Sequence, residues 1–305
     1  MAARGRVAGG APLDLDLSTA VHLFALLNAL SLGLAYSVAM DARLDVADII
    51  ERRAEYAVYA FTLLNLISGL QLATNPIGAG RRFGYGVHQF TPSEYELIVG
   101  SGFTALSTCA CLVLLLLDLV PPYKAIPYSL LVRSFWFKRG VDKSFRVAGM
   151  RPSGRLKFLS LVMGPGSAIF LLIRPHDEDA IIRLLNAEMI VVSAINIFSM
   201  LLFVAPELGA PFLFGIDVSR REMRRNKGLF RGWGNGSVLN ATLMTIILLG
   251  EVSLNEAVGY SCCLWAAFSF YAGFVVRMDK ELGIPLTGFL RQLLTAGILA
   301  AAILL

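Results

Sequence analysis

Apolar runs of about 20 residues, each closed by charges, proline or glycine, recur along the 305-residue chain. A helix rises 1.5 Å per residue, so about 20 residues cross the roughly 30 Å hydrocarbon core of a bilayer. The runs therefore predict an all-α, polytopic integral membrane helix bundle of about eight transmembrane helices. The segments are 18–40, 56–74, 97–117, 156–173, 187–205, 237–252, 257–276 and 284–305, forming one transmembrane domain over residues 1–305. The sixth is the shortest, with about 14 residues between Ser237 and Glu251; a re-entrant hairpin joining it to the seventh is the alternative.

Composition removes other classes. The chain is 56% hydrophobic and 16% charged, with a mean hydropathy of +0.66, whereas soluble domains average about 45–50% apolar and 25% charged residues. A soluble enzyme, a disordered chain and a nucleic-acid-binding domain are excluded. The net charge of +5 sits between the apolar runs, so it reports orientation in a membrane rather than a nucleic-acid partner.

Connections after the first, third, fifth and seventh runs hold 20 Lys and Arg, counting Lys157 at the edge of the fourth run; the N-terminus and the remaining connections hold 6. That asymmetry predicts both termini on the non-cytoplasmic, intermembrane or luminal side, with the long basic loops facing cytoplasm, matrix or stroma. Which membrane is involved stays open. The N-terminal MAARGRVAGGAP precedes no separate apolar region with a cleavage site, so no cleaved signal peptide is expected.

Cysteine and histidine usage limits the chemistry. Cys109, Cys111, Cys262 and Cys263 fit neither zinc-ligand spacing nor a disulfide framework, and His22, His88 and His176 are far apart. No phosphate-binding, nucleophile-elbow or dinucleotide motif is present. No catalytic residue, metal ligand or cofactor is assigned.

Two connections are unusually basic. In 118–155, Leu130, Leu131, Phe135, Trp136 and Phe137 alternate with Arg133, Lys138, Arg139, Lys143 and Arg146. This predicts either a basic and aromatic interfacial helix that binds anionic headgroups or an ordinary belt at a helix end. The second, DVSRREMRRNKGLFRGWGNG, holds six Lys and Arg and reads as a positive-inside anchor. It ends beside two glycosylation sequons, at Asn235 and Asn240, which this orientation leaves unmodified.

Small residues mark helix contacts: Gly100, Thr104, Ser107 and Cys111 share one stripe, and Gly259, Cys263, Ala266 and Gly273 another. Buried polar residues supply the candidate sites. Asn28, Asn65 and Asn196 fall near the midplane, where amides face one another or a hydrated cavity. His22, Glu188 and Glu251 fall near the outer face, as solvated residues or as a protonatable entrance cluster. Arg291 lies about 10 Å inside the last run, with Gly288, Gln292 and Thr295 on its face. It either snorkels or turns into the bundle toward an anionic or carbonyl partner.

Asp41, Asp45, Asp48 and Arg52 share a helical face that could hold Mg²⁺ for a lipid-modifying enzyme, although a solvated face fits the spacing better. NPIGAGRRFGYG, from Asn75 to Gly86, reads as an anion nest or, preferably, a flexible turn. Three functions are compatible with these features: a transporter or channel for a small or anionic solute, which the midplane amides and an inward-facing Arg291 without an acidic partner at its depth favour; a non-catalytic accessory or assembly subunit of a larger membrane complex, with other membrane subunits as partners; and a lipid-modifying enzyme.

Overall fold

The structure is a computed structural model that describes residues 52–82, 90–141, 145–173, 178–220 and 223–305. The chain divides into two units, Met1–Arg52 and Arg53–Leu305, and the elements below belong to the second. The first expected span, His22, Asn28 and the Asp41, Asp45, Asp48 cluster lie outside the described residues, as do His88 and His176.

Among the described residues the regular structure is helical, without strands. The order is α1 (Arg53–Thr74), α2 (Pro76–Arg82), α3 (Pro92–Leu116), α4 (Pro122–Arg139), α5 (Gly154–Phe158) and α6 (Gly164–Ile173), the last two joined by a π-helical turn, Leu159–Met163. Then come α7 (Glu178–Val204), α8 (Pro206–Phe214), α9 (Arg224–Leu249), α10 (Leu254–Phe270), α11 (Met278–Leu282) and α12 (Thr287–Leu304). Among the described residues five stretches are long and apolar enough to cross a membrane: Arg53–Thr74, Pro92–Leu116, Arg183–Val204, Leu254–Val275 and Thr287–Leu304. The all-α bundle read from the apolar runs is the fold observed.

Local sequence sets the helix ends. Thr91 opens α3: its hydroxyl accepts from the Glu94 amide and the Glu94 carboxylate accepts from the Thr91 amide, with Pro92 in the first turn. Ser253 and Glu256 repeat the device at α10. Gly250, at φ +66°, terminates α9 in a left-handed conformation that glycine adopts without steric cost.

Neighbouring helices reveal their directions through their closest contacts. Gly69 of α1 packs on Leu106 and Gly102 of α3 packs on Ala73, so α1 and α3 are antiparallel. Ser107 Oγ donates to the Ser129 carbonyl at 2.9 Å, and Gly100 lies against the Trp136 indole. Thus α4 runs back alongside α3. By contrast α9 runs parallel to α3, joined by Ser93 Oγ to Asn226 Oδ1 at 3.2 Å and by Asn240 Nδ2 to Thr108 Oγ1 at 2.7 Å. Gly259 against Leu304 and Gly273 against Phe289 make α10 and α12 antiparallel.

These directions change the reading of both basic connections. Residues 122–139 form a helix of the bundle, with Trp136 0% and Phe137 2% exposed in its core and only Phe135, at 69%, on the outside. Of the three aromatics expected at the acyl boundary, two are instead interior. Because α4 doubles back, residues 75–82 and 90–91 share one end of the bundle with residues 145–153, where the loop charges had placed the connections after the second and third runs on opposite sides.

The second connection is largely the first half of α9. Its cations meet carboxylates from elsewhere: Arg225 with Glu94 at 3.4 Å, Lys227 with Glu207 and, at 3.5 Å, Glu281, and Arg231 with Glu281 at 3.2 Å. Arg139, at the end of α4, joins Glu96 at 3.1 Å. The expected flexible turn after Asn75 begins instead with α2, where Asn75 Oδ1 accepts from the Gly78 amide at 2.9 Å. Trp136, Phe137, Phe145, Phe214, Phe230 and Trp233 contact one another edge-to-face or tilted, with centroids 5.1–6.4 Å apart, and close the core near this charged end.

Candidate functional site

Four glycines lie in the first half of α9, and the structure gives them two different jobs. A Cβ on Gly234 would sit 2.8 Å from the Phe203 amide and the Ser199 carbonyl, so glycine there is required for close approach of α7. A Cβ on Gly232 would meet nothing nearer than Met278 Cε at 3.9 Å, and one on Gly236 nothing nearer than Thr104 Cγ2 at 4.0 Å. Helix-interior glycine costs about 1 kcal/mol relative to alanine. At these two positions close packing does not explain it, and both border cavities.

The first cavity, of about 220 Å³, lies between α1, α3, α9 and α10. Its polar lining comprises Asn65, Ser68, Ser101, Thr104, Thr108, Asn235, Asn240 and Ser261. A second, of about 180 Å³, shares Ser101, Gly232 and Asn235 with the first and is bounded further by Gly228, Ser269 and Gln292. Among the described residues no charged side chain lines either.

Hydrogen bonding gives this lining a chemical sign. Ser101, Thr104 and Ser261 donate to the carbonyls of Leu97, Gly100 and Ala257, and Asn65 Nδ2 donates to Phe61 O at 2.9 Å. Thr108 donates to Thr104 O and accepts from Asn240. With their protons held by backbone carbonyls, the hydroxyls and the Asn65 carbonyl retain acceptor capacity. Among the described residues, the buried Asn235 Oδ1 has no donor and the buried Ser269 hydroxyl has no acceptor. The lining thus presents several acceptors, with the Ser269 hydroxyl as a free donor.

The sequence-derived candidates scatter. Asn65 joins the first cavity. Asn196 lies half-buried on α7 with its Oδ1 unpaired, and it lines neither of these cavities. Glu188 is 3% exposed on α7 with Oε2 unpaired. Glu251 is exposed in the turn after α9, and Arg291 is exposed on α12, so the expected inward turn of Arg291 is not observed; its neighbour Gln292 reaches the second cavity instead. Asn235 and Asn240, read from sequence only as sequons, are central to the lining. The signal that would have found them is the spacing of Gly228, Gly232 and Gly236, four residues apart on one helical face.

Among the described residues no group of three or more His, Cys, Asp or Glu side chains is placed to hold a metal ion. No protein-family model, curated protein or solved structure matches the chain.

Proposed function

We propose that this chain is a multi-pass membrane protein that conducts or carries a small, neutral, donor-bearing solute along the glycine face of α9. The observation that carries the reading is Asn235: a buried amide oxygen without a donor among the described residues, on a residue that, with Ser101 and Gly232, is shared by the two cavities. An unpaired buried carbonyl is costly, and a solute N–H or O–H offsets that cost while passing from one cavity to the next.

Size and charge narrow the class. Each cavity is below the roughly 300–1,000 Å³ of sites that enclose drug-sized ligands, and neither presents a counter-charge. Ureas, short amides and small polyols fit that description. In this reading the end bearing Arg139, Arg225, Lys227 and Arg277 faces the cytoplasm, matrix or stroma. Leu305, at the far end of α12, then faces the opposite side.

The test is solute flux into proteoliposomes, followed by light scattering after mixing with urea, glycerol or sucrose. Protein-dependent entry of urea or glycerol, with sucrose excluded, is expected, and Asn235→Leu reduces that entry at least tenfold. Rates equal to those of protein-free vesicles for all three solutes would overturn the proposal and favour the accessory-subunit reading.

A further inference from the structure

Arg133 of α4 is a partly buried cation halfway along the bundle that forms no ion pair with a carboxylate of the described residues. Its level follows from its neighbours: Ser129 and Trp136, on either side of it in sequence, meet Ser107 and Gly100 of α3. Arg133 is therefore level with about residue 104, the middle of the 25-residue helix Pro92–Leu116. There its Nη2 donates to Ser237 Oγ at 3.0 Å, and the guanidinium lies 5.4 Å from the Trp233 ring centroid.

A guanidinium keeps its charge and carries five N–H donors. One hydroxyl acceptor and one aromatic face leave most of those donors without an acceptor, and a charge taken out of water requires pairing. Arg133 borders a third cavity, of about 40 Å³, together with Ser134, Ser160, Ser199 and Trp233. Ser134 donates to the Leu130 carbonyl, whereas Ser160 and Ser199 make no hydrogen bond within the described protein, so their protons are free. Fixed positive charge beside two free hydroxyls distinguishes this cavity from the two larger ones, which no charged side chain of the described residues lines. A single water occupies about 10–15 Å³ of such space, so the volume suits an ion of a few heavy atoms and not one as long as gluconate.

We propose that Arg133, with the hydroxyls of Ser160 and Ser199, binds one small monovalent inorganic anion of the size of chloride or nitrate inside the helix bundle. This site is separate from the solute cavities and stands whether or not those cavities conduct. Binding neutralises Arg133 and ties α4 to the π-helical turn, through Ser160, and to α7, through Ser199. The anion is thus a structural counterion of the fold.

The experiment uses the full chain purified in neutral detergent, with thermal unfolding recorded in sodium gluconate and with increasing replacement by chloride or nitrate at constant ionic strength. Chloride and nitrate should raise the unfolding midpoint saturably. At ten times the dissociation constant, the folding equilibrium shifts about elevenfold toward the native state. Sulfate, divalent beside a single guanidinium, should raise the midpoint less than chloride or nitrate at equal ionic strength. Arg133→Gln should remove the chloride dependence, and Arg133→Lys should retain it in weaker form. If Arg133→Gln does not fold, the wild-type chain still decides: iodide should quench tryptophan emission saturably through Trp233, and chloride should compete. Equal midpoints in chloride and gluconate for the wild-type chain, an undiminished chloride response in Arg133→Gln, or iodide quenching that chloride leaves unchanged would overturn the proposal.

Discussion

The two faces of α9 are built from the same residue types and do opposite things. Toward α7 the helix is sealed: Gly234 allows backbone contact with Ser199 and Phe203, and Arg231, 6% exposed, donates to the carbonyls of Phe203 and Val204 at 2.5 and 2.9 Å and to Glu281 at 3.2 Å. Those carbonyls end α7, where helix carbonyls lack intrahelical partners and the dipole favours a cation. Toward the cavities α9 is open: Gly232 and Gly236 face space, and the Asn235 oxygen lacks a partner. A glycine or a buried polar group thus has no fixed meaning in a helix; what distinguishes closure from a site is whether its neighbours already complete it.

Breaking the sealed face should have the largest effect. Arg231→Ala leaves the end of α7 without its donor and Glu281 with Lys227 alone, and truncating one member of a buried pair costs about 3–5 kcal/mol. Chemical denaturation in detergent should register that loss. Arg231→Lys should recover less than half, because an ammonium does not reproduce the planar fork. Full stability in the alanine variant would mean that α9 and α7 are held by something other than this contact.

Alanine substitutions within two residues of one another sharpen the contrast by changing its sign. Gly234→Ala drives a methyl into the α7 backbone and should cost about 1–3 kcal/mol. Gly232→Ala meets room and should stabilise the helix by up to about 1 kcal/mol, while lowering solute flux. The same logic separates two amides: Asn240→Ala removes the bond to Thr108 and should cost about 1 kcal/mol, whereas Asn235→Ala should be neutral or stabilising. Equal signs for both pairs would erase the distinction between the faces.

The charged end should give the smallest effect, dependent on pH. Burial pushes the Glu207 carboxyl up, but the hydrogen bond from Lys227, with the charges of Lys227 and Arg231, outweighs it and holds the group below its ordinary value. The hydrogen bonds and charge of Arg277 likewise hold Asp279 down. A carboxylate with a depressed folded-state pKa contributes its full stability above its unfolded pKa and loses it as pH falls through the folded value. The unfolding midpoint should therefore change little on this account from pH 7 to 5 and decline below about pH 4. Glu207→Gln should flatten the decline, while the packing of the sealed face against Gly234 should be insensitive to pH.

Much of the bundle was legible because apolar runs report helices regardless of partners. Residues 56–74, 97–117 and 284–305 fall within or close to α1, α3 and α12. The helices that the runs missed or truncated are those carrying charge. Arg133, Lys138 and Arg139 interrupt α4, and Arg224, Arg225, Lys227 and Arg231 occupy the start of α9. Their partners Glu94, Glu96, Glu207 and Glu281 are remote in sequence, so no local pattern shows that these charges are neutralised. For the site, depth along a run could be read from residue spacing, which found Asn65. Rotation about the helix axis could not, because it is set by which neighbour packs where. That is why Arg291 is exposed while Arg133, in a stretch read as a loop, is partly buried against α9.

Thiol accessibility along α9 tests the open face most directly. In a chain whose four native cysteines are replaced by serine, Gly232→Cys, Gly234→Cys and Gly236→Cys would each be exposed to a small, charged, water-soluble methanethiosulfonate reagent in proteoliposomes. If the cavities are a hydrated path, the variants at 232 and 236 should react at least tenfold faster than the one at 234, and urea or glycerol flux should fall as they are modified. Protection of 232 and 236 equal to that of 234, with flux unchanged, would contradict a solute path along α9.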